Sequence, residues 1–207
     1  AVFVMHTPEA NSASAAELTW SLVMASAREL PNAHRQVKAG QWNREALKGI
    51  ELEGKTFGII GLGRIGSRVA KFANAFGMKV LAFDPFRDED YFASRNAERV
   101  GLQEILKQSQ FLSLHVPYTA DTHHMLNRSN FEFMCRDIIL INTCRGSVIK
   151  EIDLVEALEN GWLRAVGLDV FEKEPLDRNS NLLKFPNVFF TPHIGAATDE
   201  AFTKASE

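Results

Sequence analysis

The sequence predicts an α/β fold: a parallel sheet of about seven strands, doubly wound, with helices on both faces. Three observations predict it. Short, near-continuous apolar runs recur along the chain, as strands covered on both faces require. Segments with helical period separate them, the pattern of successive βα units. A glycine-rich stretch, "GIIGLGRIG", lies where one apolar run passes into a helix-period segment.

Seven runs read as buried strands: "VFVMH" (2–6), "TFGIIG" (56–61), "KVLAFD" (79–84), "FLSLHV" (111–116), "IILINT" (138–143), "AVGLDV" (165–170) and "VFFTP" (188–192). After the first, Ser14-Ala-Ala-Glu17 reads as a capping box that starts a helix running until Pro31 stops it. The stretch 34–49 is polar and reads as an irregular connection. Beyond Gly66, the residues Ile65, Val69, Phe72, Ala73 and Phe76 form one helical stripe, with Gly77 placed to end it. Further helices are expected near 102–108, 129–135, 151–160 and 198–206.

The 207 residues, 45% of them apolar, suffice for one sizeable core. No repeat or low-complexity linker divides them, so 1–207 is expected to form a single domain. A formal charge of −3 without a basic tract gives no footprint for nucleic acid. No apolar run approaches the ~20 residues of a membrane span. The opening "AVFVMHTPEA" lacks a basic segment followed by a long apolar one, so a secretory signal is not expected. Only Cys135 and Cys144 are present, which points to a reducing compartment, by default the cytoplasm.

Gly61, Gly63 and Gly66 lie between an expected strand and an expected helix, the context in which such a turn binds a pyrophosphate. The first permits the turn, the second lets backbone approach the phosphates, and the third lets helix and strand pack closely. Free N–H groups at the helix start would face the anion. Eighteen residues after Gly66 the next strand ends in Asp84, where a carboxylate accepts from ribose hydroxyls and repels a 2′-phosphate. The pattern is that of a Rossmann-type dinucleotide site, with NAD favoured over NADP. Arg87 nearby is a charge that could soften the preference. The turn alone would also suit FAD.

Ligands of open parallel sheets bind beyond the carboxyl ends of the strands. Arg145, Glu174 and His193 each follow such an end, in "NTCRGSV", "DVFEKEP" and "TPHIGAA", and Asp169 closes its own strand. Singly, each reads equally as an ordinary loop residue; together around one crevice they form a candidate site.

The blocks "GIIGLGRIG…VLAFDP", "LHVPYTADTHHMLN", "NTCRGSVIKEIDLVEAL", "GLDVFEKEPL" and "NVFFTPHIGAAT" resemble, in order, those of the D-isomer-specific 2-hydroxyacid dehydrogenase family. They are most similar to its 3-phosphoglycerate dehydrogenase branch, and glyoxylate/hydroxypyruvate reductases share nearly all of them. The resemblance implies hydride transfer between NAD(H) and a 2-hydroxy/2-oxo acid pair. It implies His193 as acid–base, Glu174 as its hydrogen-bonding partner, and Arg145 as the grip on the substrate carboxylate. It implies that Asp169 meets the nicotinamide carboxamide and that Arg64 and Ile65 meet the pyrophosphate. Val116, Thr143, Cys144 and the turn from His193 through Gly195 to Ala196 would line the nicotinamide side. It further implies a substrate-binding domain built from segments before residue 1 and after 207, and weak turnover by 1–207 alone. A corepressor that senses NAD(H) is the alternative from another functional class, whereas Glu174 disfavours the formate dehydrogenase branch.

The adjacent His123 and His124 are badly spaced for a shared metal, and no metal site is expected. His115 reads as a core or crevice residue, and Trp20, Trp42 and Trp162 as packing residues. A homodimer or higher homo-oligomer of the full-length protein is expected, with the 15–30 helix either its contact surface or packed on its own sheet.

Overall fold

Six of the seven strands of the sheet end in the same row, and this alignment positions the site. The computed structural model describes residues 10–206. The strands β1 (Thr56–Ile60), β2 (Lys79–Phe83), β3 (Glu98–Arg99), β4 (Phe111–Leu114), β5 (Ile138–Asn142), β6 (Leu163–Leu168) and β7 (Val188–Phe190) form one parallel sheet. Their order is β3-β2-β1-β4-β5-β6-β7, which reverses direction between β1 and β4. In register, Phe83 faces Ile60, Ile60 faces Leu114, Leu114 faces Asn142, Asn142 faces Leu168, and Leu168 faces Phe190. The next residue of each of these six strands therefore belongs to one rim: Asp84, Gly61, His115, Thr143, Asp169 and Thr191.

Alternate strand residues feed two cores. Helices α1 (Ser12–Ala27) and α3 (Arg64–Ala75) cover one face, where Val23 and Val69 pack with Ile59, Ile141 and Phe111. Helices α5 (Leu102–Gln108), α6 (Arg128–Phe133) and α7 (Glu151–Glu159) cover the other, where Ile105, Phe131 and Leu154 pack with Ile60, Leu114 and Leu140. Each fully buried side chain of this size contributes about 1.5–3 kcal/mol relative to exposure. Helices α2 (Leu30–Lys38), α4 (Glu89–Ala93) and α8 (Asp199–Ser206) complete the chain. No helix among the described residues is long and apolar enough to cross a membrane.

Several local expectations need correction. The run 2–6 lies outside the described residues; among those described, the sheet has a further strand, β3, that the apolar runs did not reveal. That strand is two exposed charged residues on the sheet edge, paired to Leu81 and Ala82, and carries no apolar signal. Helix α1 begins before Ser14, behind Asn11, so Ser14 is interior to it. The Ser14 hydroxyl shares a hydrogen bond of 2.7 Å with that of Thr198, and the capping box does not form. Pro31 opens a helix rather than closing one. The chain turns at Glu29, with φ of 54°, and Pro31 sits in the first turn of α2, where its missing N–H costs nothing. The irregular connection consequently begins after Lys38. Asp88 starts α4 by accepting from the Tyr91 N–H at 2.9 Å.

On the α3 stripe Val69 and Ala73 are buried and Ile65 and Phe72 partly so, but Phe76 falls at the C-cap, past the last helical residue, and is 44% exposed; Gly77 follows with φ of +69°. Helix α1 packs its apolar face on α3 and the sheet. Trp20 and Trp162 pack against the cores, but Trp42 is 80% exposed.

Candidate functional site

The glycine turn is shaped by close backbone approach. Gly61 has φ of +93°, and a side-chain carbon there would stand 2.6 Å from the His115 carbonyl oxygen. At Gly66 it would stand 2.1 Å from the Gly61 carbonyl oxygen, so the third glycine lets α3 sit directly on the end of β1. Gly63 differs: nothing lies within 4 Å of such a carbon. It caps α3 without any side-chain hydrogen bond, leaving the helix start to interact with something other than a cap. Open space at a helix start that has no side-chain cap is what a diphosphate requires.

Asp84 sits one strand away and is nearly buried. Its Oδ2 accepts from the Leu62 N–H at 2.9 Å, and its Oδ1 accepts from the Phe86 N–H at 3.0 Å. The carboxylate thus ties the glycine turn to β2, and each oxygen keeps a second lone pair for a ribose hydroxyl. These residues fit a dinucleotide.

Across the rim, His193 and Glu174 meet. His193 Nδ1 lies 2.7 Å from Glu174 Oε2, which leaves Nε2 as the nitrogen available to a substrate. Burial by itself would raise the Glu174 pKa. The His193 hydrogen bond, the Phe171 N–H donated to Oε1 at 3.1 Å and the charges of His193 and Arg145 outweigh it and hold the carboxyl below its usual range. The pair borders a cavity of about 560 Å3 with Phe171, Leu176 and Phe190 in its wall.

His193 adopts φ of +54°, an unusual conformation for a residue with a side chain. Asp169, fully buried, holds that turn. Its Oδ1 accepts from the Thr191 hydroxyl at 2.6 Å and the Ile194 N–H at 2.9 Å, and its Oδ2 accepts from the Gly195 N–H at 2.9 Å. The carboxylate expected to meet a carboxamide is thereby engaged by the His193 turn.

Arg145 follows β5, and its carbonyl accepts from Asn142 Nδ2 at 3.0 Å. Asn142 Oδ1 accepts in turn from the Cys144 N–H at 3.1 Å. Next along, Gly146 lies flat on the Glu174 loop, where a side-chain carbon would be 1.9 Å from the Phe171 carbonyl. The Thr143 hydroxyl shares a hydrogen bond of 2.7 Å with that of Thr19 on α1. Burial pushes the Cys144 thiol up to about 11, against the lowering effect of N–H bonds from Arg145 and Val116, so it is protonated at neutral pH. His115 has its Nε2 2.8 Å from the Ser113 hydroxyl, Nδ1 is buried without a partner, and burial lowers the ring to about 3.

The structure therefore brings the predicted residues to one edge in two groups: Gly61, Gly63, Arg64, Ile65, Gly66 and Asp84 at β1 and β2, and Arg145, Asp169, Glu174, His193, Gly195 and Ala196 at β5 to β7. Val116, Thr143 and Cys144 lie between them, just past β4 and β5. Sequence reasoning missed Asn142, Gly146 and Thr191, which shape these turns. Asn142 carried a signal, being a polar residue inside "IILIN".

A parallel sheet that changes direction beside a glycine turn, with an acid at the next strand end, defines a dinucleotide-binding α/β domain. Residues 20–195 match the family described as D-isomer specific 2-hydroxyacid dehydrogenase, NAD binding domain, and the chain belongs to that family. It is 45% identical over 201 residues to a D-3-phosphoglycerate dehydrogenase of Methanocaldococcus jannaschii, a match covering 97% of this chain and 38% of that one. It is 46% identical to a hydroxypyruvate reductase of Thermotoga maritima, covering 96% of this chain and 64% of the relative. A D-lactate dehydrogenase of Aquifex aeolicus, solved with NAD and lactic acid, superposes with a TM-score of 0.90 at 36% identity, over 98% of this chain and 66% of that one. The chain thus spans less than two thirds of these two curated relatives.

Proposed function

We propose that residues 1–207 are the cofactor domain of an NAD-dependent dehydrogenase acting on a D-2-hydroxy acid and its 2-oxo acid, with 3-phosphoglycerate the best candidate substrate. The observation that carries this reading is the 2.7 Å contact between Glu174 and His193 on the same rim as the glycine turn. Bound NAD supplies the acceptor or donor of a hydride at the substrate carbon bearing the oxygen. The chain's own residues do the rest. Backbone amides at Gly63, Arg64 and Ile65 hold the diphosphate, and Asp84 holds the ribose.

In the oxidative direction His193 Nε2 takes the hydroxyl proton while the carbon loses its hydride, leaving the 2-oxo acid. In reduction the imidazolium returns that proton to the oxygen. Glu174, kept ionised, stabilises the imidazolium and fixes the ring. The Arg145 guanidinium presents a planar fork of donors suited to a carboxylate. Asp169 holds the His193 turn, and with Val116, Thr143, Cys144, Gly195 and Ala196 lines the nicotinamide side.

Relatives named as glyoxylate and hydroxypyruvate reductases are about as similar as the phosphoglycerate dehydrogenases, which favours a second reading with those substrates. A panel of 3-phosphoglycerate, glyoxylate and hydroxypyruvate with NAD(H), on the full-length protein, decides. The expected result is the highest kcat/KM with the phosphorylated acid; no turnover with any member would refute the dehydrogenase reading.

The two unpaired cysteines support a reducing, cytoplasmic setting. A homodimer is also proposed, with its surface moved from α1 to α2. Helix α2 buries none of its residues; Leu30 and Val37 on it, and Trp42 four residues past its end, are exposed. Sedimentation should give a dimer that Val37→Glu and Trp42→Asp dissociate; a monomeric wild type would contradict this.

A further inference from the structure

We propose that His124 is a positioning residue: through Glu172 it holds the loop that aims Glu174 at His193. The inference rests on the reading of His193 and Glu174 as the acid–base pair. Two imidazole–carboxylate contacts share one short loop. Glu174 meets His193, and two residues earlier Glu172 Oε1 lies 2.5 Å from His124 Nε2. Glu174 itself has little else to fix it: its side chain is 37% exposed, and its other oxygen accepts only the N–H of Phe171 in the same loop. Its direction therefore depends on where residues 171–174 are anchored.

Besides the Phe171 ring, which packs in the core near Phe190, three contacts anchor them. The Phe171 carbonyl rests on Gly146, the Glu172 N–H donates to Glu151 Oε1 at 2.6 Å, and the Glu172 carboxylate takes His124. The imidazole is held from behind. His124 has φ of +50°, its N–H donates to the Ser147 carbonyl at 2.8 Å, and its carbonyl accepts from Asn127 Nδ2 at 3.1 Å. Its ring stacks on that of His123 with centroids 3.8 Å apart, and His123 meets Tyr118 edge-on. A partly exposed ion pair adds little to stability, so a ring fixed on this many sides is better explained by what it aims. Nε2 can donate to Glu172 from either the neutral or the protonated ring.

The test uses the 207-residue chain and needs no turnover. The hydrogen-bonded Nδ1 proton of His193 is followed by NMR, and its exchange with water is timed. His124→Leu and Glu172→Ala, which break the contact from either side, should speed exchange about tenfold. His124→Gln, which restores a donor at the same backbone conformation, should stay within about twofold. Wild-type exchange in either of the first two variants, or a His124→Gln variant no slower than His124→Leu, would overturn the proposal. Glu174→Ala, which leaves no acceptor, is the separate control: persistence of a protected proton signal there would instead refute the Glu174–His193 contact on which the acid–base reading rests.

Discussion

At one end of the crevice the glycine turn is shaped almost wholly by backbone, whereas at the other the His193 turn is held by the side chains of Asp169, Thr191 and Glu174. The first end tolerates no added atoms at Gly61 and Gly66, yet leaves Gly63 open. The second is a set of polar contacts: Asn142 to Arg145, Asp169 to the 194–195 backbone, and Glu174 to His193. A diphosphate looks alike in every substrate complex, so a rigid cradle serves it. A proton moves between atoms, and the groups that move it must be aimed by neighbours that can themselves be replaced.

The sharpest way to separate the two ends is to damage one without the other. His193→Asn in the active protein should lower kcat about 10³-fold, equivalent to about 4 kcal/mol, with nucleotide affinity little changed. Equal losses in kcat and in NADH binding would mean that the two ends are not distinct. Gly66→Ala attacks the cradle through the fold itself. With a carbon 2.1 Å from the Gly61 carbonyl oxygen, α3 must shift, at a cost of about 3 kcal/mol in chemical denaturation.

Between the ends lies His115, and its ionisation provides a pH test. The folded ring titrates at about 3 against 6.5 for an ordinary histidine, so below pH 6.5 the unfolded chain binds a proton that the folded chain does not. Stability contributed by the neutral ring is complete above about pH 6.5 and is lost as pH falls toward 3. Moving from pH 7.5 to pH 5 should cost about 2 kcal/mol from this group, and His115→Gln should flatten that part of the profile. Urea titrations at the two pH values measure it.

Gly63→Ala gives a smaller effect of a different kind. The new methyl meets no protein atom, so stability should hold, while NADH binding weakens about tenfold because the methyl stands where phosphate must approach. Smallest of all is the response of Cys144 to alkylation. With its pKa near 11, about a thousandth of it is thiolate at pH 8, and mass spectrometry should find Cys135 modified first.

The two regions also differed in how far the sequence revealed them. The glycine turn was legible because its spacing, the strand before it and Asp84 after it all lie within about thirty residues and are governed by backbone sterics. His193, Glu174 and Arg145 were legible as strand-end residues and through the family resemblance. What held them was not: Asp169 reaches Gly195 across 26 positions, and Gly146 is pressed on Phe171 by the fold. Strand β3 was hidden because an exposed edge needs no apolar run. Pro31 misled because proline reads alike as the end of one helix and the first turn of the next.

The decisive measurement is a crystal structure of the chain soaked with NADH. The diphosphate is expected over Gly63 at the start of α3, with the nicotinamide ring beside Nε2 of His193. A diphosphate bound elsewhere, or a nicotinamide out of reach of that nitrogen, would contradict the assignment of both ends of the crevice to one reaction.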